Sequence, residues 1–295
     1  MFSKQQTIGE KVNYVLLLII LLLITLACLA PIWHMVAVSL SDNSAVSAGQ
    51  VSFIPVGFTL TPYEYILNDQ RFFQAFGVSL QRVLLGGAIN FIMTVLAAYP
   101  LSKETSEFPA RNKLMWIFIF TMMFNGGLIP WYMTIKMTGV MDSIWALVLP
   151  GAVPVFNVVL LMNFFRAIPK EVGEAAKMDG AGVFTTMWKV FIPMSLPAIA
   201  TVTLFSIVHH WNAFFDGMIL INNPAGQPLQ TYIRSLVVLP ALADMTSGNL
   251  EDILKLSEKT FNAAKIVVTM LPIIVVYPFL QRYFVTGITL GSVKE

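Results

Sequence analysis

Two groups of residues in this chain carry side chains suited to more than packing. The first lies inside an apolar run from Val190 to Phe215 and reads His209, His210, Trp211, Asn212, Phe214, Phe215 and Asp216. Polar residues in such a run usually face a bundle interior or a wet cavity. On one continuous helix His209, Asn212 and Asp216 stand at i, i+3 and i+7 and share a face, with Trp211 and Phe215 four apart on a neighbouring face. Donors and acceptors interleaved with rings suit reversible binding of a polar solute. The second group is the charged stretch from Arg166 to Lys189. Neither offers an enzyme's apparatus. The single cysteine, Cys28, excludes an intrachain disulfide, and no Cys/His cluster has metal-ligand spacing. The sequence contains no G-x-x-x-x-G-K-[ST] loop to cradle a nucleotide phosphate. His209 and His210 are the only hint of a catalytic set.

The elements that must position these residues follow from composition. Of 295 residues, 57% are hydrophobic and 12% charged, about half the roughly 25% charge of soluble domains. That balance excludes a soluble enzyme, a disordered chain and, with a net charge of +2, a nucleic-acid binder. The remaining solvent is lipid. A spanning helix needs about 20 mostly apolar residues. Six stretches fit: Tyr14 to Val38, Val83 to Ser102, Leu114 to Ile135, Ser143 to Phe165, Val190 to Phe215 and Ile266 to Gln281. An even number puts both termini on one side. With the N-terminus inside, Lys and Arg divide eleven inside to seven outside, so both termini are expected in the cytoplasm. The first stretch is too long for a signal peptide's apolar region and reads as an uncleaved helix. Gly126-Gly127, Pro130, Pro150 and Pro154 are candidate breaks in the third and fourth spans. Leu236 to Leu242 is too short to span, Asn223-Pro224-Ala225-Gly226 reads as a turn, and Asp244 to Lys259 as an exposed amphipathic helix.

The inner loop reads RAIPKEVGEAAKMDGAGVFTTMWK. Pro169 can start a short helix, Glu171 and Glu174 complement its positive end, and Ala175 and Ala176 permit close approach of another surface. Gly180 can take the left-handed conformation that ends it. A second amphipathic piece, Val183 to Phe191, leads to Pro193 and Pro197. The pattern is a small, rigid docking knob.

Glu174-Ala175-Ala176-Lys177-Met178-Asp179-Gly180-Ala181, followed by Ile192-Pro193-Met194-Ser195-Leu196-Pro197, closely resembles the EAA loop of ABC-importer permeases. Met194-Ser195 departs from the simpler I-x-L-P of many relatives. The tail from Gln281 to Lys294 looks like the C-terminus of maltose-type carbohydrate permeases, and Phe124 to Pro150 with Trp211-Asn212 resembles their LplC-like oligosaccharide branch. The resemblance implies an all-α, six-helix type I importer (MetI-like) fold in the bacterial inner membrane. Its parts are a first helix and external loop over 1–74, a permease core over 75–285 with the EAA loop at 166–191, and a cytoplasmic tail over 286–295. It implies a second homologous permease chain, a cytoplasmic ATPase dimer that binds ATP and Mg, and an extracytoplasmic solute-binding protein. Glu174, Ala175, Ala176, Asp179 and Gly180 inherit the role of ATPase coupling, the cargo is a carbohydrate, and the chain needs no cofactor of its own.

Sugars pack C–H faces on rings and satisfy hydroxyls with groups such as Asn. Trp211 and Asn212, with His209, therefore stand as a candidate saccharide path about 27 to 37 Å from Phe191. The competing reading places Trp211 in an interfacial aromatic belt, and for either histidine bonding to helix neighbours is preferred. Asn90, Asn125 and Asn157 are further path candidates, although a buried Asn more often serves as interhelical glue. Tyr63, Tyr65, Tyr232 and Arg234 lie on long outer loops suited to seating a binding protein. The alternatives are an amino-acid-type ABC importer, or an ion-coupled secondary transporter with Asp216 as its nearest coupling carboxylate.

Overall fold

The computed structural model describes residues 8–238 and 258–292. The chain divides into two compact units, one of Met1–Asp69 with Leu236–Met270, the other of Gln70–Ser235 with Leu271–Glu295. Among the described residues every regular element is helical.

In the first unit, α1 (Ile8–Ser39) is apolar on every side and exposed from Val12 to Leu29, the signature of a helix whose solvent is hydrocarbon. Its end turns into α2 (Asn43–Ser47), capped by the Asp42 carboxylate, which accepts from Ser44 N–H at 3.1 Å. Ala37, Val38, Ala45, Val46, Val51 and Ala263 form a small core beneath this corner. The short α3 (Thr61–Asn68) follows, and Tyr63 shares a 2.7 Å hydroxyl hydrogen bond with Ser39.

The second unit is built on α4 (Gln70–Ser102). Two bent helix pairs follow: α5 (Arg111–Met123) with α6 (Leu128–Met137), and α7 (Ile144–Val148) with α8 (Val155–Ala167). Then come α9 (Lys170–Met178), α10 (Val183–Met194), α11 (Leu196–Asn212), α12 (Phe215–Leu220) and α13 (Leu229–Val238). The last helix, α14 (Glu258–Ser292), contributes to both units. Helix α4 packs against α8 and α11. Val158, Leu161, Met162 and Phe165 of α8 recur at i, i+3, i+4 and i+7 and meet Val95, Ala98, Tyr99 and Leu101 of α4, with Phe191 and Ile192 of α10 and Val202 of α11. Each such large side chain contributes about 1.5–3 kcal/mol of burial. Gly86 makes room on α4 for the His210 ring of α11, since a Cβ there would lie 2.4 Å from His210 Nε2.

Among the described residues three helices are long and apolar enough to cross a membrane: Lys11–Ser39, Gln70–Ser102 and Lys259–Pro278. The other expected spans are bent pairs, turning by 115° between α5 and α6, 46° before α8 and 87° between α10 and α11. The count is six only if each pair is one span. The sequence-based spans Leu114 to Ile135 and Val190 to Phe215 are thus not single helices. Phe124 is extended and Gly127 sits at φ +89, which stops α5. Ser195 separates α10 from α11 in the Pro193–Pro197 segment, and a π turn over Met187–Phe191 precedes it. Part of the segment Leu236 to Leu242 and most of Asp244 to Lys259 lie outside the described residues, whereas Asn223 does cap a turn, accepting from Ala225 N–H at 3.0 Å.

Candidate functional site

Two features stand at opposite ends of α10–α11. At one end, α9 presents the knob read from the sequence. Pro169 is its N-cap, so the helix starts one residue later, at Lys170. It ends as expected: Gly180 has φ +77, Gly180 N–H donates to Lys177 O at 3.0 Å and Ala181 N–H to Ala176 O at 2.9 Å. That pair is a Schellman motif, and it satisfies carbonyls the helix end would strand. Gly173 and Ala176 face inward, Gly173 lying beneath the Phe191 ring, while Glu174, Ala175, Asp179 and Gly180 are exposed. Met178, Val183 and Phe184 add an apolar patch, 88%, 69% and 69% exposed.

Sequence reasoning missed what holds α9 in place. The loop after α4 supplies Glu104, paired with Lys170, and Glu107, paired with Lys177. The two lysines are seven apart and so share one face of α9. Lys103 lies 4.5 Å from the Tyr99 ring centre and 4.2 Å from that of Phe191, a cation–π seat. Hydrogen bonds from the two lysines hold both glutamates below the usual carboxylate range, and burial lowers Lys103. These pairs join residues 66 and 70 apart, so no local pattern announces them. They enclose part of a concavity of about 800 Å³ with Arg111, Arg166 and Phe165 on its walls.

At the other end, α11 stops at Asn212, because Ala213 is extended and α12 restarts at Phe215. His209 and Asp216 therefore do not share one continuous helix. The fold nevertheless brings His209, Asn212 and Asp216 to one concavity of about 600 Å³, with Asn125, Trp131 and Phe214 among its other walls. Trp211 is not among them: it is 5% exposed and meets Phe76 edge-on at 5.8 Å. Asn90 and Asn157 are also buried away from this space. Asn90 donates to Gly151 O at 3.0 Å and its Oδ1 contacts His210 Nε2 at 2.9 Å. Asn157 Nδ2 reaches Val202 O and Ser206 Oγ, each at 3.1 Å. Both act as interhelical glue.

Asp216 has a partner one residue before the expected span Val83 to Ser102 and well inside α4. Arg82, 1% exposed, donates from Nη1 to Asp216 Oδ1 at 3.0 Å and to Ala213 O at 3.3 Å, and pairs through Nη2 with Oδ2. The bidentate fork ties α4 to the break after α11. No metal-binding group of three His, Cys, Asp or Glu occurs among the described residues. The concavity offers amide, imidazole and carboxylate groups beside rings, which is binding chemistry.

Comparison with known proteins gives this arrangement its class. Residues 8–290 match the family described as binding-protein-dependent transport system inner membrane component, and the chain belongs to that family. It is 36% identical to the polygalacturonan/rhamnogalacturonan transport system permease protein YtcP of Bacillus subtilis, over 93% of this chain and 95% of that protein. It is likewise 36% identical to Protein LplC of the same organism, over 90% and 88%. Its fold matches, with TM-score 0.85 and 30% identity over 96% of this chain and 100% of the other, a chain in the crystal structure of a bacterial ABC transporter involved in the import of the acidic polysaccharide alginate.

Proposed function

We propose that the protein is a permease subunit of a binding-protein-dependent ABC importer that moves an oligosaccharide across the bacterial cytoplasmic membrane. The carrying observation is geometric. One α10–α11 segment links the exposed knob formed by α9 to a polar and aromatic concavity about 25 Å along α11. Similarity to a polygalacturonan/rhamnogalacturonan permease and to a polysaccharide importer favours this reading over an amino-acid importer. Pairing of Asp216 with Arg82 argues against a free ion-coupling carboxylate.

In this reading each bent pair is one span, so the chain crosses six times with both termini cytoplasmic. The parts keep the bounds 1–74, 75–285 and 286–295. A second homologous permease chain completes the path. ATP and Mg bind a separate ATPase dimer, and this chain has no catalytic role. Closure of that dimer pushes α9 through the exposed Glu174, Ala175, Asp179 and Gly180, with Ala176 packed behind them, and α10–α11 transmits the push. The concavity then opens to a solute-binding protein on the far side. Asn125, His209 and Asn212 contact the sugar, while Trp211, Asn90 and Asn157 shape the walls from behind. Reconstitution with the partner chains tests this reading. Sugar-loaded binding protein should stimulate ATP hydrolysis and drive uptake of labelled saccharide in preference to labelled amino acid. Absence of both effects overturns it.

A further inference from the structure

Phe214, on the wall of the concavity at the end of α11, carries on its ring a cation that the proposed function leaves unused. Thr231 and Arg234 stand at i and i+3 on α13, and both address Phe214. The Thr231 hydroxyl donates to Phe214 O at 2.8 Å, and the Arg234 guanidinium carbon lies 4.6 Å from the Phe214 ring centre. The mount is firm. Leu229 N–H donates to Ser79 Oγ at 2.7 Å, and Gly217 has no Cβ, which would stand 2.3 Å from Thr231 Oγ1. Stacking fixes the guanidinium plane but leaves its N–H edge free to donate, and Arg234 is exposed. Among the described residues no carboxylate pairs with it.

The charges around the concavity then sum in one direction. Asp216 is the carboxylate on the wall, and it is occupied by Arg82 and by Gly217 N–H at 2.8 Å. Among the described residues, that leaves Arg234, stacked on Phe214, as the charge without a carboxylate partner here. A single planar fork over a ring matches a single planar carboxylate. A phosphate dianion would call for more than one cation.

Resting on the oligosaccharide reading, we infer that the cargo carries uronate residues and that Arg234, stacked on Phe214, is the residue that reads their carboxylates. The pyranose C–H face rests on Phe214 and Trp131, and Asn125 and Asn212 serve the hydroxyls. The role of Arg234 on α13 thereby shifts from seating a binding protein to reading the cargo.

Binding to the assembled permease–ATPase complex in nanodiscs, without binding protein, tests the inference directly. The probes are trigalacturonate and alginate trisaccharide, each beside its methyl ester, which keeps the sugar and removes the charge. Wild type should bind an acid about tenfold or more tighter than its ester, as a charge-assisted hydrogen bond predicts. Arg234→Gln should erase the difference without weakening the ester, and Arg234→Lys should keep part of it. No acid preference in wild type overturns the inference, as does an Arg234→Gln variant that keeps the preference or weakens acid and ester alike. Stimulation of ATP hydrolysis by sugar-loaded binding protein is measured on the same complex. If that stimulation is present while the acid preference is absent, the uronate inference fails and the importer reading stands. If it is absent with saccharide uptake, the importer reading fails.

Discussion

Single residues at the end of α11 carry large and opposite stakes. Arg82 is buried, so Asp216→Asn leaves an uncompensated cation. The expected cost is about 3 kcal/mol, seen as a lower thermal unfolding midpoint of the protein in nanodiscs. The double change Arg82→Met with Asp216→Leu should recover most of it, because the pair's desolvation penalty disappears with its attraction. Gly86 and Gly87 make a matched comparison on α4. A Cβ at Gly86 meets His210 at 2.4 Å, whereas one at Gly87 meets only Ile207, at 3.9 Å. Gly86→Ala should destabilise by about 1–3 kcal/mol, and Gly87→Ala should be tolerated in the same unfolding assay. Neither difference is written locally, since two adjacent glycines look alike until the partner helix is known. Asp216 was legible as a polar residue near a solute path. Its pairing with Arg82 was not, because the two lie 134 residues apart.

At the scale of elements, the proposed function makes α9 and its clasp the point where force enters the bundle. Gly180 holds φ +77, so Gly180→Val should strain the turn by about 1–2 kcal/mol and uncouple ATP hydrolysis from uptake in the reconstituted complex. Glu104→Lys or Lys170→Glu alone should lower sugar moved per ATP, and the two together should restore it. Restoration by the swap separates a directional contact from a general surface-charge effect. Both clasp glutamates titrate below their ordinary 4.5 when folded. Their contribution is therefore present above that value and lost as pH falls through the lower folded pKa. Coupling should stay flat with respect to these two groups from about pH 6 to 8. The helix itself was legible from Pro169, the alanines and Gly180, because capping chemistry is local. The clasp was not, since it joins α9 to a loop on the far side of α5–α8 in sequence.

For the whole molecule, the expected topology yields a labelling pattern. In a Cys28→Ala background, Ser47→Cys should react with an impermeant maleimide from outside the cell, and Ser106→Cys only after permeabilisation. The reverse pattern would invert the assignment of both termini. What the sequence determined by itself was the solvent and the form of the inner loop: a charge deficit too deep for water, and a short helix whose caps and small residues act within a single turn. The structure alone decided how the spans are built and what meets at the end of α11. Three expected spans are bent pairs, because a kink angle depends on the packing that fills it. His209, Asn212 and Asp216 share a concavity although a break replaces the helical face they were read on. Trp211, from the same run, faces Phe76 instead. Periodicity reports which residues are polar or apolar along one helix, but it carries no information on where that helix ends against its neighbours. Only the packed bundle supplies that, and with it the pairing of Arg82 with Asp216 and of Arg234 with Phe214, two residues on the wall of one cavity.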